Sequence, residues 1–306
     1  MSLLYYLESI REPLLDGFFS LITQFGEETL FIVFGLLLFW CVNKKEGYYL
    51  LGVGLLGTIF NQWLKLLFRV PRPWILDPSF SIVESARAGA TGYSFPSGHT
   101  QASIGVYGAI ARWTKRPGVR LLCIALCVLV PLSRMYLGVH TPWDVGVSAC
   151  IALALVFALY PLVHNGCEKP RCMRLLFGGM TALAVGYLAF VHFYPFPADV
   201  DMANLAHGTK NAYTMLGSVL GVWLTWEMDR RFIHFDTDAT LRVQVIKLLL
   251  GLTLLLGIKA GLKAPLRALL GGHYAADGLR YFLTVSFAGC IWPMTFPWLN
   301  RKFGRN

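Results

Sequence analysis

Charge is scarce in this chain. Only 14% of its 306 residues are Asp, Glu, Lys or Arg while 56% are hydrophobic, against about 25% charged in soluble domains. That shortage excludes an ordinary water-soluble fold and makes a lipid bilayer the expected solvent. Acidic residues are the scarcest, 17 against 27 basic ones, which gives a formal net charge of +10. The cations stand in short clusters between apolar segments instead of along one continuous face, so nucleic acid is excluded as the partner. Zinc-like pairs of Cys and His are also missing. Cys41, Cys123, Cys127, Cys150 and Cys290 lie in apolar segments, and Cys167 and Cys172 share a polar loop without a second pair; no disulfide framework, metal site or cofactor is expected. Asp199 and Asp201 lack the further oxygen ligands that a cation needs. No basic-then-apolar secretory leader is expected, because Glu8, Arg11, Glu12 and Asp16 interrupt the first residues. Residues 1–27 read as an amphipathic lead-in.

What the chain has is apolar length. Stretches that can cross a hydrocarbon core of about 30 Å recur throughout. The expected spans are 28–43, 47–68, 99–113, 120–138, 142–163, 174–194, 211–227, 243–262 and 279–298. Alternate connections are basic: Lys44 and Lys45; Arg112, Lys115, Arg116 and Arg120; Lys169, Arg171 and Arg174; Arg230 and Arg231; Arg301, Lys302 and Arg305. Such loops face the cytoplasm. The fold expected is therefore an all-α, polytopic membrane helix bundle of about nine spans, with the N-terminus outside and the C-terminus cytoplasmic. Residues 28–165 form the catalytic core and 166–306 further helices packed on it. Gly178, Gly179, Gly217, Gly221, Gly251 and Gly257 mark expected helix contacts.

Three outer stretches carry chemistry. Lys65, Arg69, Arg72 and Pro73 end the second span, where cations run against the topological trend and are costly near hydrocarbon. Pro96-Ser97-Gly98-His99-Thr100 opens the third, with Ser97 as helix cap and Gly98 permitting close approach of an anion to free backbone N–H groups. Ser133-Arg134, Gly138, His140 and Asp144 join the fourth and fifth spans. Thr141 and Pro142 read as cap and first helical residue, so Asp144 lies in the first turn and reaches back to His140.

Phosphoryl transfer needs an in-line nucleophile, neutralised equatorial oxygens and a proton for the leaving oxygen. His140 fits the first role with Asp144 fixing its tautomer, and His99 fits the acid and base roles. Lys65, Arg72, Arg134, the Ser97 hydroxyl and the Gly98 amide fit the oxygens.

The sequence resembles the type 2 phosphatidic acid phosphatase and vanadium haloperoxidase superfamily. Its signatures stand unbroken as Lys65, six residues, Arg72-Pro73; as Pro96 to His99; and as Ser133-Arg134, five residues, His140, three residues, Asp144. The resemblance implies a six-helix catalytic core, a metal-independent phosphohistidine mechanism with the roles above, and a lipid phosphate or diphosphate as substrate, with undecaprenyl diphosphate among the options. The long layout is similar to the glucose-6-phosphatase and sphingosine phosphate phosphatase branch. Location is expected to be a bacterial cytoplasmic membrane with the site facing outside. A phosphotransferase using the same phosphohistidine, a sugar-phosphate phosphatase and a phosphate or lipid transporter are the alternatives, and oligomeric state is left open. Arg267, His273 and Asp277 repeat the spacing of Arg134, His140 and Asp144, but without the other two stretches they are read as a chance echo.

Overall fold

A backbone in lipid must satisfy its own hydrogen bonds, and helices do so within one segment. The computed structural model describes residues 1–166 and 169–304, so the readings of Cys167 and Arg305 lie outside the described residues. Every regular element is helical, with no strand among the described residues. The helices are α1 (Ser2–Ser9), α2 (Pro13–Gln24), α3 (Glu28–Leu37), α4 (Lys44–Phe68), the short α5 (Pro73–Leu76), α6 (Gly98–Trp113), α7 (Pro117–Tyr136), α8 (Pro142–Gly166), α9 (Pro170–Phe193), α10 (Met202–Met228), α11 (Leu241–Gly261), α12 (Lys263–Leu269), α13 (Ala275–Ser286), α14 (Trp292–Met294) and α15 (Phe296–Phe303). Prolines open several of them, including α2, α7 and α9, where the missing N–H has no intrahelical partner to lose.

Among the described residues, five helical segments are long and apolar enough to cross a membrane, and seven if two bent pairs each count as one span. The expected spans at 99–113 and 211–227 are not among them. At 16 residues α6 is short for a bilayer. Helix α10 has the length, but Asn211, Thr214, Gly217, Ser218, Gly221 and Thr225 dilute its apolar character. The first span, expected from residue 28, is the second half of a pair bent by 46° at residues 25–27.

The chain divides into two compact units. The first comprises Met1–Ile32 and Tyr49–Tyr160. Within it, α1 and α2 pack on α7, and Leu7, Ala86, Ala90, Tyr136, Leu137 and Val139 form a buried cluster. Arg11 ties this end together, donating from Nε to the Tyr136 carbonyl at 3.0 Å and from Nη1 to the Ser81 carbonyl at 2.9 Å. Helices α4 and α6 also approach closely: a Cβ on Gly57 would sit 2.4 Å from Gln101 Nε2.

The second unit comprises Val33–Tyr48 and the chain from Pro161 onward. In it α10 packs closely on α13. A Cβ on Gly217 would lie 2.0 Å from the Gly278 carbonyl oxygen, and one on Gly221 2.9 Å from Val285 Cβ. The small-residue pair thus does what its spacing predicts. Gly251 is likewise packed, under Trp292, whereas Gly178, Gly179 and Gly257 have nothing within 4 Å and make no such contact. Trp40 donates to the Ala288 carbonyl at 2.9 Å, and Lys44 pairs with Asp229 at 2.9 Å.

Candidate active site

The site grows from four helix ends in the first unit. Helix α4 ends beyond Lys65, and the chain turns out of it through Arg69 in the left-handed region at φ 51°. The following loop returns Arg72. Helix α7 stops at Gly138, whose φ of +81° is open to glycine without strain; a Cβ there would also meet Arg11 Nη2 at 2.7 Å. The turn lets Val139 N–H and His140 N–H bond the Arg134 carbonyl at 3.1 and 3.3 Å. His140 therefore folds back beside the end of its own preceding helix.

Helix α8 starts with a reciprocal cap. Asp144 N–H donates to Thr141 Oγ1 at 3.2 Å, and Thr141 N–H donates to Asp144 Oδ2 at 2.7 Å. Helix α6 starts on Ser97, whose Oγ accepts from Thr100 N–H at 3.4 Å and Thr100 Oγ1 at 3.0 Å. These two helix starts are stitched together, Ser97 N–H to the Asp144 carbonyl at 3.0 Å and Ser148 Oγ to the Ser97 carbonyl at 2.8 Å. Stretches far apart in sequence thus meet in one place.

His140 is 2% exposed and Asp144 1%, with Nδ1 facing Oδ2 at 3.4 Å. Ser94 Oγ completes that side, donating to Asp144 Oδ2 at 2.6 Å and lying 3.5 Å from His140 Nδ1. On the other side, Arg72 Nη1 stands 3.0 Å from His140 Nε2. A guanidinium only donates, so Nε2 holds the lone pair and Nδ1 the proton. Arg72 is itself fixed by the carbonyls of Gly92 (3.0 Å), Val139 (2.9 Å) and Thr91 (2.6 Å).

Arg134 is buried and donates to Thr23 Oγ1 at 2.7 Å, while its Nε and Nη2 have no partner. Lys65 Nζ donates to the Tyr93 carbonyl. Asn61 Nδ2 reaches the Pro96 carbonyl at 3.4 Å, and Gly98 presents no side chain to Asn61 Oδ1, which a Cβ would approach at 3.9 Å. Three cationic side chains and one buried carboxylate leave an excess of positive charge out of water. Unmatched buried charge is costly, and an anion with several acceptor oxygens relieves it. The same cations, after burial itself, push the His140 imidazole well below its ordinary pKa of 6.5, with His99 adding to the effect.

His99, in the first turn of α6, places Nε2 3.1 Å from Glu27 Oε1. Glu27, Thr23 and Ser94 touch the candidate residues and escaped the sequence reading. An acid between Phe25 and an apolar run is a signal that was there to use; Thr23 and Ser94 carry none. The echo at the other end is not a second dyad. Asp277 is held by Arg267 at 3.0 Å and Arg280 at 2.7 Å, while His273 accepts from Ala275 N–H at 3.1 Å. No group of three or more His, Cys, Asp or Glu side chains that could hold a metal occurs among the described residues.

Residues 46–166, which contain the three stretches, match the PAP2 superfamily, and residues 213–302 match the PAP2 superfamily phosphatase transmembrane extension. This chain belongs to the PAP2 superfamily. The C-terminal helices are thus part of a recurring arrangement within it. Similar proteins include a probable sphingosine-1-phosphate phosphatase of Dictyostelium discoideum, 30% identical over 71% of this chain and 56% of its own length. Glucose-6-phosphatase catalytic subunit 1 of Canis lupus familiaris is 29% identical over 48% of each chain. The undecaprenyl-diphosphatase BcrC of Bacillus subtilis (strain 168) is 25% identical over 50% of this chain and 77% of its own. The chain spans about half the length of the first two relatives. No solved structure matches it at a significant level.

Proposed function

We propose that this chain is a membrane-embedded, metal-independent phosphatase that hydrolyses lipid phosphate or diphosphate monoesters through a phosphohistidine on His140. The observation that carries the reading is the pairing at that imidazole: a carboxylate faces Nδ1, and a donor-only guanidinium faces Nε2. Nε2 attacks phosphorus as the bond to the leaving oxygen breaks, and His99 gives that oxygen its proton. His99 then takes a proton from water, whose oxygen attacks phosphorus as the P–N bond breaks and inorganic phosphate leaves. Arg72, Arg134, Lys65, Ser97 and the Gly98 amide hold the phosphoryl oxygens. The unpartnered Nε and Nη2 of Arg134 supply donors for that purpose.

The basic loops, read as cytoplasmic, support a pocket on the extracytoplasmic face with the N-terminus outside. The sphingosine-1-phosphate phosphatase and undecaprenyl-diphosphatase relatives support a lipid substrate. The glucose-6-phosphatase relative favours a second reading, a soluble sugar phosphate.

Purified protein in detergent with a chelator is expected to release phosphate from lipid phosphates and to be inhibited by vanadate. His140→Ala is expected to abolish turnover, and Asp144→Asn to lower kcat by roughly 10³- to 10⁴-fold. A screen across isoprenoid, glycerolipid, sphingoid and sugar phosphates separates the two substrate readings. Full activity in His140→Ala, or dependence on added divalent metal, contradicts the mechanism.

A further inference from the structure

The acid side of the pocket has a carboxylate of its own. Glu27 lies in the break Phe25-Gly26-Glu27 between α2 and α3, where the two helices bend by 46°. The break is built into the fold. Tyr107 Oη donates to the Phe25 carbonyl at 2.9 Å, and Thr23, one turn earlier, accepts from Arg134 at 2.7 Å. Gly26 lets the backbone press against the site: a Cβ there would lie 2.8 Å from Val130 Cγ1 and 3.0 Å from His99 Cβ. The result is Glu27 Oε1 3.1 Å from His99 Nε2. An acid in an apolar helix pair is expensive and persists where it has a use.

The charged groups facing His99 are Glu27 from the break, Arg134 from α7 and Arg72 from the loop after α4, with His140 across the pocket. Burial first, and then both arginines, oppose a positive imidazole and hold His99 below its ordinary value. Glu27 is the group that favours one, and the proposed mechanism needs His99 protonated when the leaving oxygen departs.

We propose that Glu27 is a positioning residue that holds His99 through Nε2 and supports its protonated form, leaving the Nδ1 proton for the leaving oxygen. The pocket then contains two imidazole–carboxylate pairs, His140 with Asp144 for attack and His99 with Glu27 for proton transfer. In the first half-reaction the Nδ1 proton moves to the leaving oxygen as the P–O bond breaks; in the second, Nδ1 recovers a proton from the attacking water. This inference rests on the phosphohistidine reading.

The test compares full-length wild type with Glu27→Gln on two substrates. One is a lipid monophosphate in mixed micelles, whose alkoxide needs a proton. The other is p-nitrophenyl phosphate, whose phenolate leaves without one. For the lipid substrate, kcat/KM is expected to fall about 10- to 100-fold, within the range that general acid catalysis contributes, and its basic limb to move to lower pH. For the aryl substrate the change is expected to stay within about 3-fold, since that departure needs no general acid. Equal losses on both substrates, or an unmoved basic limb, make Glu27 merely structural and overturn the proposal. His140→Ala run in parallel isolates the parent reading: if it keeps its activity, the phosphohistidine fails whatever Glu27→Gln does. Should the wild type release phosphate from neither substrate, NMR titration of isotope-labelled His99 decides. A midpoint lowered by Glu27→Gln supports the pairing, and an unchanged one overturns it.

Discussion

At the scale of single residues, Arg72 both holds and covers the proposed nucleophile. Its Nη1 lies 3.0 Å from His140 Nε2, so a bound phosphoryl group must draw the guanidinium onto its own oxygens before the lone pair is free. In the proposed mechanism His140 acts as a neutral imidazole. Burial and the surrounding cations hold its pKa well below 6.5, so the lone pair survives as pH falls through that value. The acid limb of kcat/KM assigned to this group is therefore expected below pH 6.5, measured on a substrate whose own ionisation is complete there. A limb at or above the ordinary histidine value means that His140 is not held neutral by its surroundings. Linkage has the opposite sign for stability. In the unfolded chain this histidine takes up its proton near 6.5 while in the fold it resists, so stability is full above that pH and falls as pH drops below it.

At the scale of elements, glycine separates a close helix contact from an open one. Gly217→Ala would put a methyl 2.0 Å from a backbone carbonyl of α13, an overpacking expected to cost about 1–3 kcal/mol. Gly178→Ala meets nothing within 4 Å and is expected to stabilise by about 0.5–1 kcal/mol through the better helix propensity of alanine. Thermal unfolding in one detergent checks both; equal effects refute the assignment of α10 on α13 as a tight interface. The glycines also mark how far sequence reading reached. Small size flagged Gly217 and Gly251, which are packed, together with Gly178 and Gly257, which are not, because composition shows that a helix can be approached and not from which side. Helix starts were legible where local chemistry sets them, at Ser97 and at Thr141 with Asp144. Span counts were less so. Apolar runs in α6 and α10 resemble spans, but length in one and buried polar residues in the other set them apart.

At the scale of the whole molecule, motif residues were legible because transition-state chemistry restricts both their types and their spacing. Their supporting contacts were not. Thr23 on Arg134, Glu27 on His99 and Ser94 on Asp144 join positions about 50 to 110 residues apart, and such pairings follow from packing alone. Every candidate site residue lies in the first unit, Met1–Ile32 with Tyr49–Tyr160, and α2 reaches the site through Thr23 on Arg134. The second unit carries the transmembrane extension that matches at 213–302. There Asp277 is taken up by Arg267 and Arg280, whereas the proposed function puts both nucleophile and phosphate donors in the first unit.

The central claim is a covalent bond between phosphorus and Nε2 of His140. Wild-type protein mixed with a phosphorus-labelled substrate and quenched within one turnover into alkali, which preserves phosphohistidine, tests it most directly. The account predicts label on the peptide containing His140, lost on acidification and absent from His140→Ala. Phosphate release with normal turnover and no label on that peptide would contradict it.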